Sequence, residues 1–324
     1  MTSARELNRR EWAPAEYVLW ACLGLIAVRG LLTDYVDGPA VQTWFTIFIS
    51  ISLQAMPFLV MGVVLSGFVA AYVRPGAIAR LLPSDTRAAV PVAGLSGLAL
   101  PGCECGSVPV AGRLVAHGVA PPAALTFLLA APAINPIVLI STAVAFPGMP
   151  EMVVARFLAS LLAAIMVGLI WVRIGRDQWV ERALRQKLPE GTRWEVFTST
   201  ASHDLLHAGG YLVVGALAAA TLQVVVPSSV LDAIGGAGVA SIIVMALLAF
   251  FLSICSEADA FVAAGLTQFS LTSRLVFLVV GPMVDMKLVA MQTGVFGAAM
   301  SRRFAPLTFV VAIGSGVVVG SLLL

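Results

Sequence analysis

Long apolar blocks separated by short polar loops dominate this chain, at residues 17 to 33, 43 to 73, 88 to 116, 121 to 146, 152 to 173, 204 to 226, 238 to 267, 274 to 299 and 304 to 324. A helix needs about 20 residues to cross a bilayer. The pattern therefore predicts an all-α integral membrane protein, a polytopic helical bundle. One polar connection of any size interrupts it, residues 174 to 203, rich in Arg and containing Trp179 and Trp194. That stretch reads as a surface linker with a short interfacial helix.

Two of the nine blocks read as something other than straight spans. Gly94, Gly97, Pro101, Gly102, Gly106, Pro109 and Gly112 would break a helix over 88 to 116, and broken backbone at membrane depth survives only where protein or water satisfies it. A re-entrant hairpin is expected there. The block 238 to 267 is less marked, since 239 to 255 has no Gly or Pro; a tilted full span is the alternative.

The chain also matches itself. Shifted by 150 positions, Cys105 falls on Cys255 and Pro132 on Pro282, and Asn135 or Asp285 follows each proline by three. A shift of 153 aligns "FLVMG" at 58 to 62 with "YLVVG" at 211 to 215. The expected organisation is an N-terminal extra helix in 1–42, a first membrane repeat in 43–173, a cytoplasmic linker in 174–203 and a second repeat in 204–324. Lys and Arg in short loops mark the cytoplasmic side. If 88 to 116 and 238 to 267 each enter and leave by one face, Arg74, Arg80, Arg87, the linker arginines, Arg302 and Arg303 all become cytoplasmic. The loops at 34 to 42, 147 to 151 and 227 to 237, which hold no Lys or Arg, become external. The two units then insert with opposite topology, as inverted repeats with re-entrant or broken helices, the plan of secondary transporters with a midplane site.

Composition agrees with a membrane protein: 60% of the 324 residues are hydrophobic and 11% charged, far from a soluble domain. A net charge of +2 without a basic cluster excludes a nucleic-acid partner. Arg5, Arg9 and Arg10 precede the first apolar block without a recognisable cleavage site, which predicts an uncleaved first span and a cytoplasmic N-terminus in the inner (plasma) membrane. Four cysteines do not make a disulfide framework, and reduced thiols are expected. No Walker motif or soluble catalytic signature occurs, so neither an enzyme nor a cofactor is expected.

Charged groups inside apolar segments are costly and mark function by default. Glu104, Arg113, Glu257, Asp259, Asp285 and Lys287 qualify, and all lie on the two hairpin motifs or the paired proline segments. Cys103 and Cys105 flank Glu104, and Cys105 has its counterpart in Cys255. The expected substrate site is Cys103, Glu104, Cys105, Asn135, Cys255, Glu257, Asp259 and Asp285, with coupling at Glu257, Asp259, Asp285 and Lys287. Any metal would meet Cys103, Cys105 and Cys255, because thiolates select soft ions. Cys22, alone in the first span, reads as packing. Arg113 reads as a snorkelling residue at the cytoplasmic rim, and Asp285 and Lys287, two apart, would not face each other on a helix. "HDLLH" at 203 to 207 has helical metal spacing but no third ligand nearby, so an interfacial role is expected.

"PGCECGSVP" at 101 to 109, "CSEADAF" at 255 to 261 and the duplicated proline segments together resemble the broad bacterial family of predicted permeases that includes the organoarsenical efflux permeases. The resemblance covers nearly the whole chain after the first span. It implies that Cys103 and Cys105 would meet the arsenic of a trivalent organoarsenical. Glu104 between the cysteines, and the acids Glu257 and Asp259, depart from that pattern and move the expectation toward a cation. The function expected is efflux of a thiophilic metal or metalloid species by a secondary transporter. A membrane thiol or sulfur-transfer enzyme, or a channel or membrane subunit of a larger complex, is the alternative. Expected partners are a small-molecule or ion substrate and the lipid bilayer, with a second copy or an accessory subunit left open.

Overall fold

The computed structural model describes residues 39–73, 76–99, 104–176, 179–180, 191–225 and 238–324. The expected first span, Cys22 and Cys103 lie outside them. Packing divides the chain into Met1–Ile47 and Phe48–Leu324, and of the first unit only 39–47, the start of one helix, is described. Among the described residues the structure is helical without strands. The helices are α1 (Pro39–Tyr72), α2 (Ala77–Leu81), α3 (Thr86–Ser96), α4 (Glu104–Ala116), α5 (Pro121–Ile134), α6 (Pro136–Ala145), α7 (Pro150–Ile174), α8 (Arg193–Val225), α9 (Val239–Leu252), α10 (Asp259–Gly265), α11 (Leu271–Met283), α12 (Met286–Phe296) and α13 (Ala298–Leu323). Among the described residues, six stretches are long and apolar enough to cross a membrane: Ala40–Tyr72, Pro121–Ala145, Pro150–Ile174, Arg193–Thr221, Leu271–Phe296 and Ala298–Leu323. This is a multi-pass membrane protein. Helix α8 begins at Arg193, inside the stretch expected to be linker, with Glu195 in its first turn where the helix dipole favours an acid.

Two of the six stretches are interrupted by the same device. Pro132 lies in the last turn of α5, and Asn135 then adopts an extended backbone, φ −65° and ψ 156°, and caps α6 by accepting from the Val138 amide at 3.0 Å. Pro282 ends α11 likewise, and Asp285, φ −139° and ψ 174°, caps α12 through the Leu288 amide at 2.6 Å. A proline removes a helical donor and crowds the preceding turn, and an Asn or Asp cap satisfies the orphaned amides of the helix that restarts. Pro121 and Leu271, which open α5 and α11, are 150 positions apart, as are Pro136 and Met286, which open α6 and α12.

Both expected hairpins are broken. Around the first motif, α3 runs into a 3₁₀ turn at Gly97–Ala99 and the chain restarts at α4. In the second, α9 has 14 residues, which at 1.5 Å per residue reach about 21 Å, short of the roughly 30 Å hydrocarbon core. It ends at Ser253 in a left-handed conformation, φ 49°, and helix resumes only at Asp259. That disposes of one uninterrupted helix over 238–267.

Packing is reciprocal between the halves: α4 lies on α5 and α12, α10 lies on α11 and α6, and α7 pairs with α13. Small residues allow the closest approaches. A Cβ at Gly62 of α1 would stand 2.4 Å from Gly106 Cα, and one at Gly215 of α8 would stand 2.4 Å from Lys287 Cα, so α4 and α12 are each clamped backbone to backbone.

Candidate functional site

The broken segments bring their charges together at fully buried positions. Lys287, on the first turn of α12, places Nζ 2.6 Å from Glu104 Oε1 at the start of α4 and 3.6 Å from Asp285 Oδ2. The side chains of all three are wholly excluded from the surface. The same Nζ donates to the Ser253 carbonyl at 3.0 Å and approaches Cys255 Sγ at 3.8 Å. Asp285 and Lys287 do face each other, against the expectation from their spacing. Asp285 is the extended cap rather than a helical residue, so the helical neighbour rule does not govern the pair.

A second buried pair fixes the other motif. Arg156 of α7 donates to Asp259 Oδ2 at 2.7 Å, to Thr142 Oγ1 at 2.8 Å and to the Ser256 carbonyl at 3.3 Å. Ser256 Oγ in turn donates to Glu104 Oε2 at 3.4 Å, and Ser141 Oγ donates to the Glu257 carbonyl. The irregular backbone of 253–257 thus has carbonyls satisfied by side chains of α6, α7 and α12, as membrane-depth irregularity demands. Among the charged groups here, four are acids (Glu104, Glu257, Asp259, Asp285) and two are bases (Arg156, Lys287).

The expected residues divide as follows. Glu104, Asp285, Lys287 and Cys255 meet in one cluster, and Cys105 follows Glu104 on α4, fully buried. Cys105 and Cys255 are not in disulfides. Glu257 is half-buried, its two carboxylate oxygens enclosed without a hydrogen-bond partner, whereas Asp259 is held by Arg156. Asn135 uses its side chain on the backbone, donating to Ala131 O at 3.0 Å besides capping α6. Among the described residues no three His, Cys, Asp or Glu are grouped to hold a metal ion; Cys103 lies outside them.

Arg113 is not a snorkelling residue. It is 5% exposed and pairs with Asp204 of α8 at 3.2 Å, which also accepts from Ser66 Oγ at 2.6 Å, because a buried guanidinium needs an anion. The two histidines of "HDLLH" stack on each other, with ring centroids 5.6 Å apart, and the buried member of that motif is the aspartate between them. Arg156 was missed as well. It sits near the start of an apolar block, where an arginine ordinarily reads as a rim residue; its signal was a charge inside the block. An apolar cavity of about 480 Å³ is lined by Phe250, Phe251, Val284 and Phe309 among others.

Known proteins resemble this chain along most of its length. The sequence profile of a family described as predicted permease matches residues 40–321. The chain is 40% identical over 287 residues to UPF0718 protein YcgR of Bacillus subtilis (strain 168), covering 86% of this chain and 95% of that protein. It is 32% identical over 282 residues to a putative two-component membrane permease complex subunit of Streptococcus mutans serotype c (strain ATCC 700610 / UA159), covering 85% and 94%. No solved structure matches.

Proposed function

Because the chain belongs to this predicted permease family, we propose that it is a secondary transporter of the inner membrane that exports a thiophilic metal or metalloid cation through the buried cluster on its broken helices. The observation that supports this is the Glu104–Lys287–Asp285 arrangement with Cys255 sulfur 3.8 Å from the ammonium. Carboxylates and a thiol on interrupted helices, fully buried, are expensive in a membrane and belong to ion pathways. Mixed sulfur and oxygen donors suit soft or borderline ions. The excess of acids over bases favours a cation over a neutral species, and a carboxylate that exchanges a proton supplies the coupling. Duplication in inverted orientation, with units at 43–173 and 204–324, fits the reciprocal packing and the shared cap device.

The test is substrate-induced thermal stabilisation of the purified protein by zinc, cadmium and a trivalent methylarsenical, in the native chain and in Glu257→Gln. Glu257 is the acid to change because its carboxylate has no partner to orphan. Loss of the zinc and cadmium responses with folding intact is expected. A response to the arsenical alone overturns the cation reading, and a retained zinc response in Glu257→Gln takes Glu257 out of the ion's path. A second reading, that the chain is the membrane subunit of a larger complex, is favoured by the name of the Streptococcus mutans relative. In that case the chain alone in vesicles gives no coupled flux.

A further inference from the structure

We infer that the Lys287 ammonium is a tethered stand-in for the transported cation, seated at the position the substrate must take. The inference rests on the cation-transport reading and names where the ion binds and what it displaces. Four acceptors of different kinds converge on Nζ: Glu104 Oε1 at 2.6 Å, Asp285 Oδ2 at 3.6 Å, the Ser253 carbonyl at 3.0 Å and Cys255 Sγ at 3.8 Å. Two carboxylates, a carbonyl and a thiol, gathered from α4, the break after α9 and the cap of α12, are donor types a cation uses; they stand apart around the ammonium and are not grouped at metal-binding distance, so a metal ion must draw them inward as it displaces Nζ. A lysine serving only to neutralise Glu104 would need neither the carbonyl nor the sulfur.

The surroundings support occupancy over simple pairing. Among the described residues, Glu104 Oε1 and Asp285 Oδ2 have no hydrogen-bonding group other than this ammonium, so removal of Nζ leaves both open toward one point. By contrast, the Arg156 guanidinium, the other buried cation, divides its contacts between a hydroxyl, a carbonyl and Asp259 and leaves no such point. The Lys287 backbone is fixed, since its Cα lies where a Cβ of Gly215 would come within 2.4 Å. Only its flexible four-carbon stem can move. An arriving cation of higher charge displaces the ammonium and takes its ligands, and when the cation leaves, the ammonium returns. The site is therefore never an uncompensated cluster of buried acids. A site occupied by its own side chain also binds more weakly than its ligands allow, because apparent affinity falls with the fraction of molecules in the open form.

The experiment is titration of the full purified chain with zinc and with cadmium, read by binding isotherm and by thermal stabilisation, in the native protein, in Lys287→Met and in Lys287→Met/Asp285→Asn. Lys287→Met should bind at least one of the two ions about tenfold or more tightly than the native chain and should lose coupled transport. The double variant keeps the native net charge of the cluster and keeps α12 capped, because Asn is as good a cap as Asp and stands at the equivalent position 135. It serves if the single variant does not fold. It gives up one of the four ligands along with the ammonium, so it should bind more weakly than Lys287→Met but still more tightly than the native chain, a gain at unchanged net charge that a pure charge effect would not produce. If the native chain responds to an ion and neither variant binds it more tightly, the stand-in role is overturned while the transport reading survives. If no protein responds to either ion, the cation reading falls and this inference with it.

Discussion

Lys287 and Arg156 are both fully buried cations, yet their contacts assign them different work. Lys287 Nζ is a single point among converging ligands, whereas the planar guanidinium of Arg156 bridges Thr142, the Ser256 carbonyl and Asp259 across two halves of the chain. Lysine offers a compact charge that cannot reproduce that fork. Arg156→Lys should therefore lower thermal stability in detergent, and Arg156→Met should lower it further, by about 3–5 kcal/mol, since it strands Asp259. Arg156→Met/Asp259→Asn should recover most of the loss. If the double variant is as unstable as Arg156→Met, the clamp is not the source of the effect. The same logic makes Asp259→Asn a poor probe of transport, because it orphans Arg156. At this scale the sequence disclosed where charge is buried: every charge it singled out inside an apolar block is buried or half-buried. Partners were not legible. Asp204 and Arg113 are 91 positions apart, and nothing local to either residue announces the other.

Among the elements, the two breaks after proline carry a local signal, although 121 to 146 and 274 to 299 read as straight spans, and the break at 253–258 carries none. Pro132 and Pro282 interrupt helices by their own covalent structure, so the signal is in the residue itself. Ser253 takes a left-handed backbone that L residues with side chains rarely adopt, without glycine or proline to mark it. What holds it lies elsewhere in the chain: Lys287 on the Ser253 carbonyl, Arg156 on that of Ser256 and Ser141 on that of Glu257. Tertiary contacts override local propensity there, which periodicity cannot foresee. The glycines aligned by the 153-position shift, Gly62 and Gly215, are both points of backbone contact. Gly62→Ala would drive its Cβ to 2.4 Å from Gly106 Cα, and backbone cannot yield as a side chain does, so α1 must part from α4. Reduced stability and transport are expected, against a Gly314→Ala control, where nothing lies within 4 Å. Equal behaviour of the two in thermal unfolding and in vesicle flux would show that the α1–α4 contact is dispensable.

For the molecule as a whole, the decisive issue is the orientation of the two units. Reciprocal packing of α4 on α12 and of α10 on α6, with α7 beside α13, is what a two-fold relation between halves produces. Such an axis lies either along the membrane normal, giving parallel units, or in its plane, giving inverted ones. The arginines choose between these. Taken as crossings, the six long apolar stretches put α3–α4 and α9–α10 between successive spans without crossing. The stretch from Ala40 to Tyr72 and the one from Pro121 to Ala145 then bring the chain back to the face opposite the Arg80 and Arg87 loop by residue 147, and α7 returns it by residue 175. With positive charge held inside, a reporter fused after residue 150 should read external and one after residue 190 cytoplasmic. Two ion pairs of the site join residues of different halves, Glu104 with Lys287 and Arg156 with Asp259, so rocking of inverted units about that seam would expose the cluster to each face in turn. Parallel units cannot give alternating access by the same exchange of equivalent contacts. An external signal at residue 190 would thus remove both the inverted arrangement and this route to transport, while leaving the buried cluster itself to be explained by a channel or by the subunit of a complex.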